Sequence, residues 1–233
     1  MTRQIPLVLI PSQLCTALAW QHQVQHLKDI AYPMVPDHAC HPTMEAIARN
    51  ILETAPDSFA LAAHGMGGFI AFEIMRQQPQ RVEKLALFDT LANADMPAQT
   101  KRREGYADLV RAGKFDQVVE ERIPILFSEA HRSNEDLLNI ARQMARDTGA
   151  EGFLNQQSAI MGRIDSRPSL PAITCPTLVA IGREDAITAI SDAEEISGLI
   201  QHSQLEIIED SGHLTLLEQP EKVNQLLRDW LLA

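Results

Sequence analysis

Three places in this chain carry residue types that do chemistry together: Ala63-His64-Gly65-Met66-Gly67, Asp185 and His213. An imidazole held by a carboxylate takes a proton from an attacking group and returns it to a leaving group; the carboxylate fixes the ring's tautomer and stabilises its charged form. The five-residue stretch has the outline of a nucleophile turn, G-x-S-x-G, which lifts a serine hydroxyl out between a strand and a helix. Gly65 stands where the serine would stand, and Ala63 replaces the first glycine. Such a turn drives its central residue to positive φ, which strains any side chain with a Cβ and leaves glycine free. Gly65 therefore removes strain and hydroxyl together. Taken alone, the stretch reads equally well as a glycine-rich turn between a strand and a helix.

The surrounding elements place these residues. Residues 59–62 read as a short buried strand and 66–78 as the helix after it. The apolar run 176–181, entered through Pro176, suits a buried parallel strand and is followed by Gly182-Arg183-Glu184-Asp185. Residues 205–208 read as another strand, leading into Ser211-Gly212-His213. Asp185 and His213 thus sit just past strand carboxyl ends, the edge where open α/β sheets put chemistry. Singly, Asp185 reads as a helix N-cap and His213 as a surface loop residue. In this order and placement they read as an acid–base pair.

With these residues in view, the chain resembles the α/β-hydrolase family over nearly its whole length. Ile10-Pro11-Ser12-Gln13-Leu14 followed by Trp20 is similar to the family's H-G-x loop, with Pro and Ser in place of His and Gly. Gly212-His213 and the Glu218-Gln219-Pro220 turn are similar to its closing segment, and Phe88-Asp89-Thr90 to the strand end before its cap insertion. The resemblance implies an ester, thioester or amide hydrolase ancestry. It also implies an oxyanion hole made by backbone N–H groups of Met66 and of Gln13 or Leu14.

The fold expected is α/β, of the α/β-hydrolase type: about six mainly parallel strands flanked by helices. The strands fall at Ile5–Ile10, 32–35, 59–62, Val82–Phe88, 176–181 and 205–208, with 32–35 pushed to a sheet edge by Pro33 and Pro36. Helices are expected over 16–27, 43–54 with Thr43 as N-cap, 192–199 and 220–232. Between Asp95 and Leu170 the alternation stops, and 99–112, 115–123, 134–148 and 152–161 read as helices. The expected organisation is a core of 1–94 and 171–233 with a helical cap, 95–170, inserted before the last two strands. A cap there shapes a pocket and excludes water; a helical excursion without gating is the plainer alternative.

Other side chains are weaker candidates. Ser12 and Cys15 carry nucleophilic atoms, but neither is expected at the turn tip. His64 is expected to pack beside the site, and Asp89 is an alternative acid to Asp185. Ser211 reads as a turn residue. Asp37-His38-Ala39-Cys40-His41 reads as a polar loop because adjacent ligands crowd one another around a metal. Arg163-Ile164-Asp165-Ser166-Arg167 reads as a salt-bridged hinge before an anion contact. No metal and no cofactor are called for.

The 233 residues suit one domain with a small cap, and 45% are apolar. A net charge of −11 gives no general attraction to nucleic acid or anionic membranes. No apolar run reaches bilayer length, and the apolar start is short for a signal peptide. Cys15, Cys40 and Cys175 form no disulfide framework, which points to the cytoplasm. The expected partner is a small, moderately apolar molecule; the oligomeric state is left open.

Three functional readings follow. The first is a hydrolase crippled at Gly65, by natural variation or by mutagenesis. The second is an enzyme that uses His213 and Asp185 as a general base on water or substrate, without a covalent intermediate. The third is a binding protein that has kept a pocket and lost its chemistry.

Overall fold

A computed structural model describes residues 4–233; the first three residues of the expected core lie outside them. Six strands form one sheet in the order β2-β1-β3-β4-β5-β6, and every neighbouring pair is parallel. They are β1 Ile5–Ile10, β2 Ala31–Met34, β3 Phe59–His64, β4 Val82–Phe88, β5 Thr177–Gly182 and β6 Ser203–Ile208. The proline-bearing β2 takes an edge, where its missing N–H leaves no gap in the ladder.

Side chains alternate across the sheet with the two-residue period of a strand. Leu7, Leu9, Ala60, Ala62, Ala86 and Phe88 pack on one face. Val8, Ile10, Leu61, Ala63, Leu85 and Leu87 pack on the other. Each fully buried Leu, Ile or Val contributes about 1.5–3 kcal/mol. The first face is covered by α1 (Gln21–Leu27) and α9 (Pro220–Leu232), the second by α2 (Met44–Thr54), α3 (Met66–Gln77) and α7 (Ile190–Leu199). Thr43 caps α2 as expected, its Oγ1 accepting from Ala46 N–H at 3.2 Å.

Some boundaries differ from the sequence reading. The segment 16–27 is not a continuous α-helix: Thr16 caps a 3-10 turn, Ala17–Trp20, and α1 begins only at Gln21. β3 runs on to His64, because register with β4 continues to the His64–Phe88 pair. Between β4 and β5 come α4 (Pro97–Arg111), α5 (Phe115–Arg122) and α6 (Glu135–Met161), followed by the four-residue α8 (Thr215–Glu218) after β6. The two helices expected over 134–148 and 152–161 are both present within α6, on either side of a kink at Gly149, whose φ of +69° and ψ of 173° only glycine adopts without strain.

The chain leaves β1 toward β2, then returns past β1 to β3. The loops after β1 and β3 therefore diverge at a switch point of the sheet, where open α/β folds form their crevice. Ser12 lies in the first of these loops and Gly65 in the second.

Candidate active site

Gly65 turns the chain from β3 into α3 at positive φ, which glycine adopts without strain. Its φ is +54° and its ψ −116°. Its N–H extends the β3–β4 ladder to Phe88 O at 2.9 Å, and its carbonyl accepts from Thr90 Oγ1 at 2.8 Å. Gly67 lets α3 press on the end of β1: a Cβ there would stand 2.4 Å from Ile10 O and 2.9 Å from Pro11 O. This close approach carries Ser12 onto the turn tip. A Cβ on Gly65 would lie 2.1 Å from Ser12 Oγ and 3.1 Å from His213 Nε2. The Ser12 side chain thus fills the volume of an elbow serine, and Met66 N–H donates to its Oγ at 3.3 Å. The expectation that Ser12 stays away from the tip is corrected: which way its side chain points depends on a tertiary contact between loops about fifty residues apart.

His213 and Asp185 meet as expected. Asp185 Oδ2 accepts from His213 Nδ1 at 2.9 Å, leaving Nε2 toward the cavity. Asp185 does not cap α7; its Oδ1 accepts from Ile187 and Thr188 N–H at 2.7 and 3.1 Å, and Thr188 Oγ1 donates to Oδ2. Burial alone would lower the His213 pKa, but the charge and hydrogen bond of Asp185 outweigh it and raise the pKa above its ordinary value. Burial pushes Asp185 the other way too, and His213 with the other donors brings its pKa below the usual carboxylate value.

Of the expected oxyanion donors, Leu14 is excluded. Its N–H is taken by Gln156 Oε1 at 3.0 Å. The turn it sits in is closed by Cys15 N–H on Ser12 O at 3.1 Å, with Leu14 at φ +58°. Among the described residues no such partner is found for Gln13 N–H, while Met66 N–H is held by the Ser12 hydroxyl at 3.3 Å.

The alpha/beta hydrolase fold profile matches residues 34–220. The chain belongs to the alpha/beta-hydrolase fold family. It is similar to 3-oxoadipate enol-lactonase 1 of Acinetobacter baylyi, 29% identical over 223 residues that cover 89% of this chain and 81% of the relative. Among solved structures it is similar to a thermophilic esterase from Thermogutta terrifontis with malate bound, at a TM-score of 0.88 and 32% identity, covering 97% of this chain and 89% of that one. An enol-lactonase from Burkholderia xenovorans LB400 shares the fold at a TM-score of 0.88 and 20% identity, covering 99% and 92%.

The remaining candidates of this α/β-hydrolase-fold chain sort by contact. Asp89 is not the partner of His213: its Oδ1 accepts from Gly182 N–H at 2.8 Å and its Oδ2 from Thr215 Oγ1. Burial pushes its carboxyl well above the usual value. His64 packs beside the site as expected, its ring centroid 5.2 Å from that of His213 and its Nε2–H donating to His213 O at 2.6 Å. Burial, then the nearby His213 charge, lowers its pKa to about 3, so the ring is neutral. Cys15 is buried and its thiol pushed up to about 12, which leaves no thiolate at neutral pH. Ser211 is fully buried, and its hydroxyl has no partner among the described residues.

Several contributors were missed. His38, expected in a polar loop, is buried with Nε2 3.0 Å from Ser12 O and 3.3 Å from Gln156 Nε2. It steadies the Ser12 loop from behind. Glu218 accepts from Gly212 N–H at 2.8 Å and from Ser128 N–H at 2.9 Å, and lies 3.0 Å from His131 Nδ1. With His213 N–H on Leu126 O at 2.8 Å, it ties the His213 loop to the segment after α5. Arg163 pairs with Asp95 at 2.8 Å and Arg167 with Asp165 at 2.6 Å, so the segment is salt-bridged, and Arg163 also lines the cavity. A cavity of about 70 Å³ runs over Ser12, Gly65 and His213 and on beneath α4, α5 and α6, where Arg102, Arg103 and Arg122 join its lining. No sequence signal marked these arginines: an Arg on a polar helix reads as a solvated face.

Proposed function

We propose that this chain hydrolyses a small carboxylic ester or lactone, with Ser12 replacing the elbow serine as nucleophile. The observation that carries this reading is the Ser12 hydroxyl filling the side-chain volume missing at Gly65, beside His213 Nε2. Where the family resemblance sets Gly and Ser, this sequence sets Ser12 and Gly65, so the two residue types are exchanged between facing loops.

In this reading the Ser12 Oγ–H bond breaks as Oγ bonds to the substrate carbonyl carbon, and the proton passes to His213 Nε2. Asp185 stabilises the charged ring. The carbonyl π pair moves onto oxygen, where Met66 and Gln13 N–H groups receive it. Collapse expels the alkoxide, which takes the proton from His213 and leaves an acyl-Ser12 ester. Water, deprotonated by His213, then cleaves that ester and restores the hydroxyl. The helices of 95–170 act as the lid over this edge. The three free cysteines are in keeping with a cytoplasmic setting.

A second reading has His213 activate water directly. It is favoured by the absence of a Ser12–His213 hydrogen bond among the described residues, since the Ser12 Oγ partner is Met66 N–H. One experiment separates the two readings. Turnover of p-nitrophenyl acetate and short lactones is measured for the wild type, Ser12→Ala and His213→Ala, and a fluorophosphonate label is mapped by peptide mass spectrometry. Label on Ser12, with turnover lost in both variants, is the expected result. Turnover that survives in Ser12→Ala, unlabelled, supports water activation and overturns the serine route. No turnover on any substrate leaves a binding protein.

A further inference from the structure

We infer that Arg122, with Arg102 and Arg103 beside it, binds a carboxylate carried by the substrate, so that the preferred ester or lactone bears an acid group on its acyl or alcohol part. This inference names the substrate class of the site proposed above and rests on that reading.

Four arginines line the cavity: Arg102, Arg103, Arg122 and Arg163. One carboxylate, Asp95, serves two of them, at 3.2 Å from Arg103 and 2.8 Å from Arg163. Arg102 and Arg122 have no ion-pair partner among the described residues. The acid on the lining itself, Asp89, is fully buried and committed to Gly182 and Thr215. The cavity lining is therefore positive in a chain whose net charge is −11. An anionic ligand, not a neutral one, would be drawn to it.

Arg122 is the most exacting member of the cluster. It is half-buried at the end of α5, its guanidinium 5.2 Å from the centre of the Tyr106 ring. Its Nη2 donates to the neutral amide oxygen of Gln13 at 3.2 Å. The adjacent Glu121 carboxylate accepts from Tyr106 OH at 3.1 Å and makes no ion pair with Arg122. Burial, and then the charges of Arg103 and Arg102, lower the Arg122 pKa to about 10, against an ordinary 12.5. A guanidinium has five donors in a planar fork that suits a carboxylate, and packing it against other arginines without an anion is unfavourable. A bound carboxylate would relieve that repulsion. Gln13 joins Arg122 to the loop that carries Ser12, which sets the anion beside the hydroxyl rather than at a remote surface.

The test separates binding from turnover. Wild type, Arg122→Gln, Arg122→Lys and Ser12→Ala are titrated with succinate, glutarate and adipate, and with the matching diamides, at fixed ionic strength. Melting temperature and titration calorimetry are the readouts. The expected result is saturable binding of at least one diacid by wild type and Ser12→Ala, weakened at least tenfold in Arg122→Gln and less in Arg122→Lys, with the diamides inert. Equal binding of diacid and diamide, or unchanged binding in a folded Arg122→Gln, overturns the inference. Diacid binding without ester turnover would sink the hydrolase reading and leave this site standing. Turnover of acid-bearing esters that is unchanged in a folded Arg122→Gln would do the reverse.

Discussion

Ser12 Oγ lies 2.1 Å from the point where a Cβ on Gly65 would stand. The two positions cannot both carry a full side chain without a backbone shift or a new Ser12 rotamer, so their identities are coupled. Gly65→Ser alone is expected to lower the melting temperature and to leave activity at or below wild type. Ser12→Gly alone should lower kcat by up to about 10⁶-fold, the scale seen when a triad nucleophile is removed. The double exchange, Ser12→Gly with Gly65→Ser, should recover both stability and turnover, moving the fluorophosphonate label to position 65. A double-mutant cycle on melting temperature and kcat measures this coupling. Additive effects would show that the two side-chain volumes do not compete.

In the proposed hydrolysis the Asp185–His213 pair is expected to set the pH dependence. His213 must be neutral to accept a proton, and its pKa is raised above the ordinary 6.5 by Asp185, against the opposing effect of burial. The rise of kcat/KM with pH should therefore have its midpoint above 6.5. In Asp185→Asn the raising charge is gone and burial remains, so the midpoint should move to lower pH. kcat should also fall, by up to about 10⁴-fold if the carboxylate fixes the tautomer as in a serine-protease triad. Full pH–rate profiles of both proteins decide this. A midpoint that moves upward, or does not move, is incompatible with Asp185 as the dominant influence on the ring.

Much of this site was legible because it follows local rules. The apolar run after Pro176 and the glycine turn at Gly65 fix where a strand ends, and strand ends fix which residues reach the crevice. Thr43 announced α2 for the same local reason. Ser12 was not legible as a tip residue because its direction depends on Gly67 packing against Ile10 and on the turn at Leu14, both matters of tertiary contact. Leu14 looked as good an oxyanion donor as Gln13 until Gln156, about 140 residues away, took its N–H. His38 and Arg122 were missed for a related reason: a histidine in a polar loop and an arginine on a polar helix carry no mark of what they will be folded against.

Glu218 is expected to matter more than its distance from the chemistry suggests. Its side chain is fully buried and accepts from two backbone N–H groups, Gly212 just before His213 and Ser128 after α5, with His131 alongside. Glu218→Gln turns an NH2 toward a donor that had an acceptor. That leaves a buried N–H unpaired and should cost about 2–5 kcal/mol in urea denaturation. Because the same contacts hold the His213 loop, kcat should fall as well, with KM for small esters less affected. A stability loss below about 0.5 kcal/mol would mean the loop is held by its neighbours without the carboxylate.

The kink at Gly149 yields a paired prediction in which sterics are absent. Beyond the adjoining helix backbone, a Cβ at Gly149 or Gly105 would have no neighbour within 4 Å, so alanine at either site meets open space. The two differ in backbone. Gly105 lies inside α4, where alanine removes unfolded-state freedom and should stabilise by about 0.5–1 kcal/mol. Gly149 holds φ +69° and ψ 173°, where alanine should cost about 1–3 kcal/mol. The kink also orients Met144 and Ala145 before it and Ile160 after it, all three on the cavity lining. Straightening α6 would displace one set or the other, so Gly149→Ala should raise KM for the substrate while Gly105→Ala leaves it unchanged. Melting curves and KM for the two variants, run side by side, test whether the bend shapes the pocket; an alanine at 149 that is as stable and as active as the wild type would show that it does not.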